Sequence, residues 1–152
     1  YSSVGLRFFT VYGPWNRPDM AAYIFAEAIQ HGQPINLYQN GALIRDFTYV
    51  GDVVESIRLI LKGCLDQTIK MEGAELVNIG GGQPVTVNEF VQTMATRLNK
   101  TPVLRLAERQ VGDVEFTHAS SDKLRRLIGF TPATSLPQGM ANFVDWYLTY
   151  QK

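Results

Sequence analysis

Between Val4 and Met20 the chain gathers an indole, an amide and a guanidinium, Trp15, Asn16 and Arg17, in a loop bounded by Gly13-Pro14 and Pro18-Asp19. Arginine presents a planar fork of donors that fits a carboxylate or a phosphate. Asp19 stands where it would cap a helix beginning at Met20. A strand that delivers such donors to a helix N-terminus is a place to hold an anion. The same residues also suit a plain strand–loop–helix connection with a surface arginine. Arg45 is a second candidate cation; Asp46 follows it directly, and the two could neutralise one another at the surface. Gly80-Gly81-Gly82 follows a strand pattern and invites a phosphate-loop reading. However, it continues Gln-Pro-Val, without the third glycine of a dinucleotide fingerprint or the Gly-Lys-Ser/Thr ending of a nucleotide loop, so a flexible turn is expected. No tyrosine of the chain has a lysine four residues on. His31 falls in a last helical turn, where imidazole favours the negative end of the dipole, and His118 reads as a surface or core histidine.

Patterning supplies the elements that must position these groups. Val4 to Tyr12 is rich in β-branched and aromatic residues and reads as one buried strand. Met20, Ile24, Ala28 and Ile29 recur at helical spacing before Gly32. Ile35 and Leu37 alternate with polar neighbours, Asn40-Gly41 supplies a turn, and Ile44 to Val50 reads as a returning strand. A hairpin bringing Tyr38 near Arg45 is therefore expected. Asp52 opens a helix with Val53, Val54, Ile57, Ile60 and Leu61 on one face, ending at Gly63. Leu76, Val77 and Ile79 form a short strand. Thr86 and Glu89 make a capping box, with Val85 stapled onto Phe90, for a helix burying Phe90, Val91, Met94 and Leu98. Val103 to Leu106 is extended, Ser121 to Ile128 is a short helix closed by Gly129, and Ser135 with Gln138 caps a last helix burying Leu136, Met140, Phe143, Val144 and Tyr147.

Composition narrows the function classes. The 152 residues are 45% hydrophobic with a formal net charge of zero, enough for a core and without the clustered cations that nucleic acid needs. One cysteine, Cys64, cannot form an internal disulfide or a cysteine-based metal site and reads as a core thiol in a reducing compartment. No apolar run approaches the ~20 residues of a membrane span. No signal peptide opens the chain, and a cytoplasmic location without a membrane partner is expected. The start on Tyr1, in mid-pattern, suggests a fragment.

The segment from Arg7 through Phe-Phe-Thr-Val-Tyr-Gly-Pro-Trp-Asn-Arg-Pro-Asp to Met20 closely resembles the corresponding stretch of UDP-glucuronate 4-epimerases, extended short-chain dehydrogenases that act on sugar nucleotides. The likeness continues through Arg45-Asp-Phe-Thr-Tyr-Val-Gly-Asp52, Asn78-Ile-Gly80, Gly112-Asp113-Val114, Gly129-Phe-Thr-Pro132 and Trp146-Tyr147. It covers nearly the whole chain but only the latter half of such an enzyme. The resemblance implies an α/β fold: the C-terminal part of an extended short-chain dehydrogenase, a late sheet strand plus a small substrate-binding lobe, lacking the N-terminal dinucleotide-binding half. Residues 1–152 would then be a single incomplete sugar-nucleotide-binding domain.

The same resemblance implies site residues. Thr10 and Arg17 would hold the sugar carboxylate, so that the 4-keto intermediate does not lose CO₂. Arg45 would bind the nucleotide diphosphate and Tyr38 would lie by the uracil. Gln110, three residues before Asp113, would reach the diphosphate and ribose, and Arg109 could supply the cation that Gln110 lacks. Asn16, Val111 and Ser120 stand where glycine, proline and aspartate are commoner. In the intact parent enzyme NAD would exchange a hydride with the sugar while a tyrosine, paired with a lysine, moves the proton. That pair and the glycine-rich cofactor motif are not in this chain, so no cofactor and no epimerisation are expected of it alone. Weak UDP-sugar binding and a homo-oligomer, formed through surface left by the missing half, are expected. The alternatives are a fragment of a related dehydratase or decarboxylase, or a stand-alone module that binds a nucleotide or itself.

Overall fold

The apolar run at the start forms two strands, not one. In a computed structural model, which describes residues 3–70, 73–108 and 112–150, β1 (Ser3–Phe8) and β2 (Thr10–Tyr12) take different partners. The change falls at Phe9: its N–H donates to the Ile79 carbonyl at 3.3 Å, whereas the next N–H, of Thr10, donates to the Asp46 carbonyl at 3.2 Å. A strand that changes partner between consecutive residues must divide. After β2 come α1 (Ala21–Gln30), β3 (Pro34–Tyr38), a 3-10 turn at Gln39–Gly41, β4 (Ile44–Arg45), β5 (Phe47–Tyr49) and α2 (Val50–Leu65). Then follow β6 (Ala74–Ile79), β7 (Val85–Thr86), α3 (Val87–Leu98), β8 (Val103–Ala107), α4 (Asp122–Ile128) and α5 (Leu136–Tyr150). The described strands pair two by two: β1–β6, β2–β5 and β3–β8 in parallel, β4–β7 antiparallel.

The parallel pairing of β3 with β8 overturns the expected hairpin. Ile35 and Leu37 do alternate inward, but Tyr38 lies opposite Ala107, and Arg45 lies opposite Val85. The Asn40-Gly41 turn has the left-handed backbone its residues favour, φ 56° and 77°, yet it ends in a 3-10 turn that carries the chain to another strand pair. Turn chemistry fixes the local bend; the strand that follows is chosen by apolar surface elsewhere.

Two cores result. In one, Val4 and Leu6 of β1 with Val77 and Ile79 of β6 pack on Val53, Ile57 and Ile60 of α2 and on Leu124 and Leu127 of α4. The opposite face of this pair leaves Gly5, Arg7 and Leu76 exposed, so β1 is covered on one side only. The other core joins α1, α3 and α5 around Phe90, Met94, Phe143 and Tyr147, all fully buried, with Phe47 stacked on Phe90 at 4.0 Å. Each such side chain contributes about 1.5–3 kcal/mol by leaving water. The helix signals around this second core hold: Thr86 Oγ1 accepts the Glu89 N–H at 3.0 Å, and Ser135 Oγ accepts the Gln138 N–H at 3.4 Å. Val85 and Phe90 share the cluster, as a staple requires.

Other helical expectations need correction. Asp19 does not cap α1: the cap position is Met20, without a side-chain bond, because the Asp19 carboxylate is held by Arg17. Ile24 is 48% exposed, and alanines take its place on the buried face. Helix α2 runs past Gly63 to Leu65, Gly63 being kept bare by the Ile69 side chain folded over it. Val54 and Leu61 face solvent, as does Cys64, which is not a core thiol. None of the described helices is long and apolar enough to cross a membrane.

Candidate sugar-nucleotide site

Gly13 ends β2 at φ 140°, a backbone that side chains rarely adopt, and Val50 lies where a Cβ would go. The chain can therefore turn hard against the start of α2 and present Trp15 and Arg17 on an open cleft of about 390 Å³, lined also by Phe8, Val11, Tyr12 and Met20. Trp15, itself in a left-handed conformation at φ 63°, lies against Trp146 and Tyr150 of α5 with ring centroids 5.6 and 5.5 Å away. At the cleft the Arg17 guanidinium takes a carboxylate in two-pronged fashion: Nε donates to Asp19 Oδ1 at 3.0 Å and Nη2 to Oδ2 at 2.7 Å. Both side chains remain largely in water, and each holds the other in its charged form, Asp19 below its ordinary pKa and Arg17 above. Thr10 sits half-buried in β2 opposite Phe47 and is not part of this cleft lining. Tyr12 is no proton carrier: burial, followed by the nearby Asp52, pushes its phenol far up, and its hydroxyl faces the Leu136 carbonyl.

Arg45 has a different setting. Its Nη2 donates to Asp113 Oδ1 at 2.7 Å and its Nη1 to the Ile44 carbonyl at 3.0 Å, with the ion pair only 16% and 29% exposed. The structure thus joins two residues of the expected site that lie 68 positions apart. Arg45 does not neutralise Asp46. That carboxylate turns inward, is completely buried, and accepts the N–H groups of Gly82 at 3.1 Å and Ala119 at 2.8 Å. Tyr38 is half-buried at the end of β3, whereas Arg109, Gln110 and Val111 lie outside the described residues. His31 ends α1 with Nε2 3.4 Å from Glu27, and His118 is exposed beside Phe116; neither faces a candidate site.

The Gly80–Gly82 turn is pinned, not flexible. The Gly81 N–H donates to Thr48 Oγ1 at 3.0 Å, the Gly82 N–H to Asp46, and the Gly80 carbonyl accepts from Ser121 Oγ. A methyl on Gly80 would overlap that of Ala119. Amides already engaged by an internal carboxylate and hydroxyl cannot cradle a diphosphate, so this run does not fit a dinucleotide. Sequence reasoning missed Asp46 as an organising group. Its signal was a charged residue between Ile44 and Phe47, inside a strand pattern where only a paired carboxylate survives burial.

The family described as the NAD dependent epimerase/dehydratase family matches residues 1–80. Protein CapI of Staphylococcus aureus is 42% identical over 99% of this chain and 48% of its own length. A probable UDP-glucuronate 4-epimerase of Rhizobium meliloti is 41% identical over 95% of the chain and 46% of its own. Among solved structures, MoeE5 in complex with UDP-glucuronic acid and NAD superposes with a TM-score of 0.86 at 36% identity, over 98% of this chain and 48% of that one. The chain spans about half the length of the curated relatives it matches. With the α/β pairing, the arginine cleft and these likenesses in agreement, the chain belongs to the NAD dependent epimerase/dehydratase family.

Proposed function

We propose that this chain is the substrate-binding, C-terminal part of an NAD-dependent UDP-glucuronate 4-epimerase, holding the UDP-sugar while the groups that move hydride and proton lie elsewhere in the whole enzyme. The observation that carries the proposal is Arg17 on an open cleft with its fork already closed on a carboxylate, that of Asp19. A uronic acid presents the same planar anion; a sugar with a hydroxymethyl group does not. Arg17 holds the sugar carboxylate, and Arg45 with Asp113 receives the nucleotide. Tyr38 stands beside the base, and Arg109 with Gln110 completes the diphosphate contacts. The relatives support the same reading, since one is named a probable UDP-glucuronate 4-epimerase and a structural neighbour holds UDP-glucuronic acid and NAD.

Titration of the chain with UDP-glucuronate and UDP-glucose tests this. The expected outcome is a preference for the uronate of about threefold to fivefold, the worth of an ion pair in water, that disappears in Arg17→Ala. Equal affinity for both sugars, or a preference that survives Arg17→Ala, overturns the assignment. Incubated alone with NAD⁺ and UDP-glucuronate, the chain is expected to yield no UDP-galacturonate.

A further inference from the structure

Asp46 is the one charged side chain among the described residues with no exposed surface, and neither the family match nor the candidate site assigns it a task. Its bonds tie together segments distant in sequence. The carboxylate accepts the Gly82 N–H on both oxygens at 3.1 Å and the Ala119 N–H on Oδ2 at 2.8 Å. Its own N–H donates to Thr117 Oγ1 at 3.1 Å, and its carbonyl accepts the Thr10 N–H at 3.2 Å. Strand β4, which ends just before Asp46, is laced to the same segment: Ile44 N–H donates to the Glu115 carbonyl at 2.9 Å, and Thr117 N–H donates back to the Ile44 carbonyl at 3.2 Å. Residues 113–119 therefore run alongside 44–46, in register at Ile44 and Phe116. At one end of this short ladder stands the Arg45–Asp113 pair and at the other the Asp46 clasp on Ala119.

We propose that Asp46 is a positioning residue, whose buried carboxylate locks segment 113–119 against β4 and so presents Arg45 and Asp113 together to the diphosphate and ribose of a nucleotide. The inference rests on the nucleotide reading given above. Arg45 ends β4 and turns to Asp113, while Asp46, the next residue, turns inward to Gly82 and Ala119, so the two divide the labour. Arg45 faces the site, and Asp46 anchors the strand from behind. A carboxylate suits the clasp, because the backbone groups that meet its oxygens are all donors. An asparagine would turn an NH₂ toward an N–H and leave a buried donor unmet, which costs far more than the bond it replaces.

Two readouts test this in the full chain, and they fail separately. Arg45 is shielded by its pairing, so its modification by phenylglyoxal, followed by mass spectrometry of its peptide, reports the ladder without any nucleotide. Asp46→Asn is expected to speed that modification by about tenfold or more in a chain that still shows its native circular dichroism, the loss of one buried charged bond being worth that factor. Unchanged labelling of Arg45 overturns the inference. UDP titration then asks whether Asp46 acts through Arg45. Asp46→Asn weakens UDP binding by a like factor, but adds less than about twofold when Arg45 is already alanine, since the two belong to one unit. Losses that simply multiply point to a general structural role and also overturn it. A wild-type chain that binds no UDP sinks the nucleotide reading, while the labelling still decides the ladder. If Asp46→Asn fails to fold, Thr117→Val removes the acceptor of the Asp46 N–H from the same ladder and is expected to raise Arg45 labelling in the same direction; no rise counts against the proposal.

Discussion

Arg17 and Arg45 each reach an aspartate through Nη2 at 2.7 Å, and there the likeness ends. The Arg17–Asp19 pair is formed within one loop between side chains 73% and 66% exposed. The Arg45–Asp113 pair joins distant segments, with side chains 16% and 29% exposed, and rests on a ladder and a buried carboxylate. Equal bond lengths thus conceal unequal roles. In water an ion pair is worth little and a competing carboxylate displaces it readily, which suits a group that must accept and release a substrate anion. Largely out of water, with its partner fixed, a guanidinium is preorganised and loses less freedom on binding. On the proposed function the first arginine exchanges Asp19 for the substrate anion, while the second keeps its partner.

The sharpest way to break this contrast is to disturb the support of Arg45 from behind. Gly80→Ala sets a methyl against Ala119, beside the Asp46 clasp, and should lower stability by about 2–3 kcal/mol, read as the midpoint of urea unfolding. A midpoint close to wild type would mean that the turn yields easily and that the clasp is not rigid. A smaller effect separates the arginines themselves. Arg45→Ala should cost about 1–2 kcal/mol, because it removes a charge-assisted hydrogen bond between side chains largely out of water. Arg17→Ala should leave the unfolding midpoint where it was. If both variants unfold alike, the contrast drawn from exposure is wrong.

The smallest effect is a titration. Arg17 holds the Asp19 carboxyl below its ordinary pKa of 3.8, so the pair stays intact above that value and breaks as pH falls through the lowered one. Carboxyl chemical shifts followed by nuclear magnetic resonance should show Asp19 titrating low and moving back toward its ordinary value in Arg17→Ala, with little change in stability. An Asp19 that titrates normally in the wild-type chain would place Arg17 elsewhere in solution.

Sequence patterning reads well wherever one element settles its own fate. The caps at Thr86, Ser135 and Gly129, the turn at Asn40-Gly41, and the buried stripes of α3 and α5 all follow from spacing within a few residues. The expected hairpin fails because β3 meets a partner that begins 65 residues after its last residue, a choice made by which apolar faces remain to be covered. Val54 and Leu61 fail for a related reason: periodicity marks one face of α2, but β1, β6 and α4 cover only the part with Val53, Ile57 and Ile60. At the candidate site, the motif residues Arg17 and Arg45 could be picked out by type, yet not what either holds. Asp19 looked like a helix cap and Asp46 like the partner of Arg45; both serve other groups.

By itself, then, the chain determines its α/β composition, its helix ends, its apolar stripes and which side chains carry useful charge, since these depend on rotation about neighbouring bonds and on contacts three or four residues apart. Only the tertiary structure decides that β1 and β2 part at Phe9, that Arg45 reaches Asp113, and that Asp46 is buried against Gly82 and Ala119. The reason is physical. A buried carboxylate is tolerated only where donors converge on it, and here the Gly82 and Ala119 N–H groups come from two segments distant in sequence from Asp46 and from each other.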